Sequence, residues 1–539
     1  MKKISRRTFL KVVGIGTAAL GLTACGGGSD TPAGGTVVTE TGNYDEKISV
    51  TMTNWYSMIN ANAGYDLEED AYVQWVLDKF NVEIDAWALP SSSDSLSTTR
   101  LWLNAGTVPE CFLINTTMPM TELRQYINMG MLKALPSNWQ ELWPNLAAMA
   151  KTTGYFDAVT IDGLTYAIPH ATYYGYEEYD PLPEHKSVHF RKDWAEKIGM
   201  PNFGADGTIK MSELKEYLQK VADAGLCAKP YLAGTISNSL PLFMLANGMG
   251  NDSDFVKTSN GYVWQPDTPE YVAIIKQINE WYDTGLLDPD AYVTDSDTAW
   301  EEYKNGLSPA VYNSGSVGVY HDMLNDVLKR SGFLPSNSDE RSKLCDKFAM
   351  AAIKSEDGVV YSNAVQNYYT MHAFSPNCPD ATMVRLLDMM DYFCTPEGQI
   401  GALNGIPGQD WELAADGNYV ILHEELSEGE YASASRFFAV WGTADDSISG
   451  IPGISGYHIK EQEMVRNLYT VKENGKVFPI DMDIVLLDTE AKNNYTAGVA
   501  SKVTNLVISS QNIDADWAAF VNEQRVMFEP VLADLNAMN

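Results

Sequence analysis

The sequence predicts an α/β fold in two parts, on two observations. Strand-spaced and helix-spaced apolar residues alternate from residue 48 to residue 114, and the 539-residue chain is too long for one ordinary core. Residues 48–54 (ISVTMTN) alternate as a strand does. Residues 70–80 place Tyr72, Val73, Val76, Leu77 and Phe80 on one helical face, and 82–89 (VEIDAWAL) alternate again. A helix over 96–105 and a short buried strand over 110–114 complete the series. Ligands of a parallel α/β sheet bind beyond the carboxyl ends of its strands. That rule marks Asn54, Trp55, Tyr56, Asn115 and Thr116 as candidates.

Helical spacing then dominates 120–130, 139–151, 192–197, 212–224 and 268–284. The last is the clearest: Thr268 reads as its cap, Pro269 as its first turn and Gly285 as its stop. Short strands are expected at 164–168, 187–190 and 310–312. A second sheet-like region covers 347–353 and 369–373, ahead of a helix over 380–394. Helices over about 489–509 and 515–537 close the chain.

The first 46 residues read differently. Lys2, Lys3, Arg6, Arg7 and Lys11 precede the apolar stretch 12–22, which is shorter than the ~20 residues a membrane span needs. SRRTFLK at 5–11 resembles a twin-arginine export signal, and LTAC at 22–25 resembles a bacterial lipobox. The resemblance implies a signal peptide over 1–24, diacylation of Cys25, and a cell-membrane location on the extracytoplasmic face. Two acyl chains anchor stably where one does not. Residues 26–46 are rich in Gly, Thr and Ser without an apolar period, so 25–46 is expected to be a lipidated flexible tether.

The net charge is −34, and residues 1–24 carry five of the Lys/Arg and no acid. So acidic a chain repels nucleic acid and anionic headgroups, which excludes nucleic acid as a partner and leaves the Cys25 lipid as the membrane link. Five cysteines remain beside Cys25: Cys111, Cys227, Cys345, Cys378 and Cys394. They form no CxxC pair and no Cys/His cluster of zinc spacing, and they are expected to be buried thiols. The acids Asp288, Asp290, Asp295, Asp297 and Glu301, and the stretch 202–213, do not complete a calcium loop. No metal or cofactor is expected.

Six stretches in order resemble the extracellular solute-binding lipoproteins of bacterial carbohydrate ABC importers. They are NAGTVPE (104–110), IDGLTYAIP (161–169), FRKDWAEKIG (190–199), EWYDTGLLDP (280–289), NGIPGQDW (404–411) and NIDADW (512–517). Glu110 stands where the family usually has Asp, and Pro407 where it often has Glu. The resemblance implies a two-lobed periplasmic-binding-protein-like fold with crossing inter-lobe segments and a hinge. Lobe one would hold 46–167 plus 343–400, and lobe two 168–342 plus 401–539. A carbohydrate, expected to be an oligosaccharide, would be caught in the cleft and passed to ABC permease subunits. A sugar-sensing receptor or adhesin on the same fold is the alternative.

A sugar offers an apolar C–H face to aromatic rings and a rim of hydroxyls to polar groups. Trp55, with Asn54 and Tyr56, follows the first strand and is the leading stacking candidate. Tyr173 and Tyr174 follow Pro169 near the expected crossing. Arg191 could grip hydroxyls or a carboxylate, or instead pair with Asp193 or Glu196. Asn313 follows a short strand, Trp411 a Gly-rich loop, and Trp441 lies in AVWG; each is equally readable as turn or core. Trp281 reads as core, sharing a face with Ile274 and Ile278. No G-x-S-x-G, H-E-x-x-H, P-loop or helix-opening G-x-G-x-x-G is present, and a binder rather than an enzyme is expected.

Overall fold

A computed structural model describes residues 36–53, 70–89, 92–115, 117–171, 181–250, 253–334, 337–368, 370–413, 419–422, 438, 441 and 458–538. Ten strands build its two main sheets: β1 (Ile48–Met52), β2 (Val82–Ala86), β3 (Cys111–Asn115), β4 (Ala167–His170), β5 (Lys186–Arg191), β6 (Thr208–Lys210), β7 (Leu232–Ala233), β8 (Ala310–Ser314), β9 (Phe348–Lys354) and β10 (Thr370–Phe374). The first sheet runs β2-β1-β3-β10-β4 and the second β6-β9-β5-β8-β7. β1 pairs in parallel with β2 and β3, whereas β10 runs against β3 and β4. In the second sheet β5 runs against both β8 and β9.

Local chemistry explains the elements. β3 reads CFLIN and is buried at all but its last residue, as a central strand covered on both faces must be. The helix Ala71–Phe80 begins where Asp70 Oδ1 accepts the Val73 N–H at 2.9 Å. It ends at Asn81, whose φ of 51° is the left-handed conformation that stops a helix. The helix Pro269–Asp283 is capped by Thr268 as expected, and its buried Ile274, Ile278 and Trp281 face the second core. Two expected helices are broken. Pro144 divides Trp139–Leu142 from Pro144–Thr152, and Gly498, at φ 63°, precedes Val499–Ser509 after the short Glu490–Asn493.

Each sheet has its own core. Val50, Met52, Phe80, Leu386 and Phe393 pack under the first, with Ala402, Phe438 and Trp441. Val188, Phe190, Ile274, Trp281 and Val503 pack under the second. The long helix Ile513–Ala537 joins this second core, where Trp517 stacks on Tyr271 at 5.5 Å between ring centroids and Phe528 on Trp264 at 4.2 Å. Two placements differ from the division expected. β9 pairs with β5, Phe348 lying opposite Arg191, so the chain leaves the second sheet after Lys354 rather than at 343. Ala402, Phe438 and Trp441 pack with the first sheet, although 401–539 was expected to follow the second.

The chain passes from β4 to β5 and from β9 to β10, crossing between sheets each time. The crossing segments pair with each other and with a third: Glu184 N–H donates to Asn363 O at 2.8 Å, Val365 N–H to Leu182 O at 2.9 Å, and Ala364 N–H to Phe478 O at 2.8 Å. Beyond Phe478, Ile480, Met482 and Val485 pack against the first-sheet side, and Ile484 and Leu487 against the second.

Candidate functional site

The crossings fix which sheet ends border the junction. They leave from the ends of β4 and β9 and enter at the starts of β5 and β10. On the first sheet that border holds Thr53, Trp87, Asn115, Ala171 and Thr370; register sets Thr370 opposite both Asn115 and His170. On the second it holds Lys186, opposite Ser314, and Gly234 beyond β7. This is the carboxyl end of the parallel strands in each sheet, the side where α/β folds place ligands.

Asn115 lies on this border, half-buried, with Oδ1 accepting the Thr117 N–H at 2.9 Å. Asn313 lies on the facing border and lines a cavity of about 120 Å³ with Lys186, Gly234, Asn238, Ser296 and Tyr312. Arg191 does not belong there. It ends β5, and because β5 runs against β8 and β9 that end points away from the crossings. Its Nε and Nη2 hold Asp193 at 2.8 and 2.7 Å, and its guanidinium lies 4.3 Å from the Trp194 ring centroid. The structural ion pair accounts for its charge. Trp411 and Trp441 are 4% and 0% exposed, so neither offers a ring face to a ligand. Trp411 Nε1–H donates to Gly405 O at 2.9 Å, and Trp441 packs on Phe393, Phe438 and His372. Cys25, Asn54, Trp55, Tyr56, Tyr173 and Tyr174 lie outside the described residues.

Sequence reasoning passed over Trp87. It follows β2 on the first border, half-buried, with its ring edge-on to Trp102 at 5.6 Å. Its signal was present: it lies within the alternating run 82–89, one residue past the observed strand. Glu184, Tyr312 and Lys472 were also missed. Lys472 comes from the helix Ile459–Glu473, and its Nζ donates to the carbonyls of Glu184 and Lys186. Burial lowers that ammonium to about 8. The Tyr312 phenol is pushed well above its usual range by burial, and further by the charge of the facing Glu184 carboxylate and by its hydrogen bond to that carboxylate.

Two histidines lie beneath the first border. His372 Nδ1 and His170 Nε2 are 2.9 Å apart, and His170 Nδ1 is 3.1 Å from Trp441 O. Burial pushes His170 down to about 3 and His372 well below the imidazole range, so both are neutral. One directional chain fits two neutral rings here and leaves His372 Nε2 outside it. His372 Nδ1–H donates to His170 Nε2, and His170 Nδ1–H donates to Trp441 O.

Among the described residues no group of His, Cys, Asp and Glu could hold a metal ion. The turn at 202–208 shows why locally. Lys354 Nζ lies 2.6 Å from Thr208 Oγ1 and 3.2 Å from Asp206 Oδ2, so an ammonium occupies the place where a cation would draw those oxygens together. In the other acidic stretch Asp295 caps a helix and Glu301 pairs with Lys304 and Arg330. Cys111, Cys227, Cys345, Cys378 and Cys394 are free thiols. Among the described residues no helix is long and apolar enough to cross a membrane.

No family model matches the chain, and no curated protein matches it in sequence. Solved structures match it in fold. An alginate-binding protein solved without calcium ion superposes with a TM-score of 0.61 at 14% identity, covering 92% of this chain and 98% of that one. The S. pneumoniae ABC-transporter substrate-binding protein FusA, in complex with kestose, gives 0.63 at 15% identity over 91% and 98%. An extracellular solute-binding protein from Bifidobacterium longum subsp. infantis gives 0.63 at 15% over 92% and 99%. The chain therefore has the two-lobed α/β fold of these solute-binding proteins.

Proposed function

We propose that this protein is an extracytoplasmic substrate-binding lipoprotein that captures a carbohydrate between its lobes and delivers it to an ABC permease. One observation carries the reading. Nearly the whole chain follows the fold of an alginate-binding protein and of an ABC-transporter substrate-binding protein solved in complex with kestose, and its own strand ends meet at a triple crossing, the place where such a fold holds its ligand. The mechanism is closure about that crossing. A sugar bound to one sheet border favours the state in which the other border also touches it, and the closed form presents a new surface to the permease. Neutral rings, amides and hydroxyls suit a polyhydroxy ligand.

The sheet pairings support lobes that differ in detail from the expected ones: 343–354 goes with lobe two, and the stretch around 402–441 with lobe one. Cys25 is the proposed lipid site, with 26–46 as its tether. Thermal shift across mono- and oligosaccharides tests capture. A saturable rise in Tm with at least one sugar is expected; no shift with any of them rejects it. Metabolic labelling with a fatty-acid analogue tests the anchor: the label should vanish in Cys25→Ala, and label that persists places the lipid elsewhere.

A further inference from the structure

Residues 36–46 lie along lobe one, although 25–46 was expected to be a flexible tether. Ser137 N–H donates to Thr36 O at 3.0 Å. Asn138 answers both polar groups of Val38: its Oδ1 accepts the Val38 N–H at 3.2 Å, and its Nδ2–H donates to Val38 O at 2.7 Å. Asp388 accepts the Gly42 N–H at 3.0 Å with one oxygen and the Trp143 Nε1–H at 2.7 Å with the other. Arg385 donates to the carbonyls of Asn43 and Glu46 on the segment and of Phe80 and Asn81 on the lobe. Tyr44 is the apolar anchor. Its ring lies 5.2 Å from Phe80 and 4.8 Å from the Arg385 guanidinium. Burial raises its phenol to about 12, and the charge of Asp388 and the hydrogen bond to it add to the rise. Arg385 and Trp143 are 5% and 1% exposed, so the core beneath holds the groups that hold the segment. This is more than a lead-in to β1, which starts at Ile48, because the bonds of Thr36 and Val38 lie ten or more residues before it.

We propose that Asn138, Arg385 and Asp388 form a docking surface for the chain's own segment 36–46, so that residues 26–35 alone set the distance between the Cys25 lipid and lobe one. The inference rests on Cys25 as the lipid site and adds which lobe is held and how closely. Fully extended, 26–35 reaches about 35 Å, against about 70 Å for 26–46. Docking therefore halves the reach and keeps Thr36, on lobe one, within about 35 Å of the lipid. Closure then moves lobe two against a lobe one held at the bilayer. The segment is joined to the lobe at Lys47, so docking is intramolecular and weak bonds suffice to hold it. The sugar border stays open, because Phe80 and Asn81 precede β2 whereas Trp87 follows it.

Hydrogen exchange on the mature chain reads the docking. The Val38 and Gly42 amides should exchange at least tenfold more slowly than in a synthetic peptide of residues 36–46. Tyr44→Ala/Asn138→Ala should bring both to within threefold of the peptide, while the amides of β1 and β3 keep their protection. Gly42→Pro should do the same at Val38 by another route, since Gly42 has φ 78° and proline holds φ near −65° with no N–H to give Asp388. Peptide-like exchange in the wild type overturns the docking, and so does protection that survives both variants. The reach is read with the lipidated chain in phosphatidylcholine vesicles, by energy transfer from a dye on Glu141→Cys to a headgroup acceptor lipid. A Cys227→Ser background removes the one half-buried thiol among the described cysteines. Transfer should fall at least twofold when Tyr44→Ala/Asn138→Ala releases the segment. Equal transfer in wild type and variant overturns the short reach while leaving the lipid site intact. A chain that does not float with the vesicles overturns the reach together with its Cys25 premise.

Discussion

Acid should unfold this protein steeply, and the buried His170–His372 pair should carry a measurable share. Burial holds His170 down at about 3 and His372 well below the usual range, so neither takes a proton above pH 5.5 in the folded state. Unfolded, both titrate near 6.5. Their folded pKa lies below their unfolded one, so the unfolded chain binds more protons between the two values. The stability they permit is therefore present above about pH 6.5 and lost as pH falls. From pH 7.5 to 5.5 each imidazole costs about 1.4 kcal/mol, and the pair about 3 kcal/mol. His185 and His189, each lowered to about 4 chiefly by burial, should add a similar amount from the second sheet. Urea unfolding at pH 7.5 and 5.5 measures this, comparing wild type with His170→Leu/His372→Phe. The double variant loses its two polar partners together, so the comparison rests on the change with pH rather than on absolute stability. The wild type should lose about 3 kcal/mol more than the variant across that interval. Equal losses would refute the reasoning, because they would mean the pair titrates as freely folded as unfolded.

Three further outcomes follow from packing and charge. Trp441→Ala should cost about 3–5 kcal/mol of stability, as for any large aromatic removed from a closed core, and a chemical denaturation curve reads it. Gly315→Ala should destabilise by about 1–3 kcal/mol, because its new Cβ would lie 2.6 Å from Leu468 Cδ2 and 2.8 Å from the backbone oxygen of His185, which cannot move aside; an unchanged Tm would contradict this. Calcium and a chelator should leave the wild-type Tm unchanged, while Lys354→Met should lower stability by about 1 kcal/mol through loss of its bonds to Thr208 and Asp206.

The first sheet was legible because its signals are local. The alternation at 48–52 and 82–86, the helical face of 71–80 and the apolar run 111–115 each lie within one element. What escaped depends on distant partners. Trp411 and Trp441 carry the same signature whether they face a cleft or a core, and Phe393 and His372, which enclose Trp441, lie far off in sequence. The FRKDW stretch gives no sign that β5 is reversed, so Arg191 fell at the wrong end of its sheet. The apolar run of 348–354 would suit either sheet, and only pairing with β5 assigns it. The helix Ile236–Ala246 has no stripe to detect, being buried on nearly every side with Pro241 inside it. Glu184 and Tyr312 had no motif at all, because they meet only once the crossing segment and β8 lie side by side.

Sugar capture is tested most directly by titration calorimetry of the mature protein with neutral oligosaccharides, followed by chromatography of the sugar recovered from the complex. Saturable one-to-one binding of at least one sugar, and its recovery intact, are expected. Absence of heat with every sugar, or recovery of shortened fragments, would contradict it.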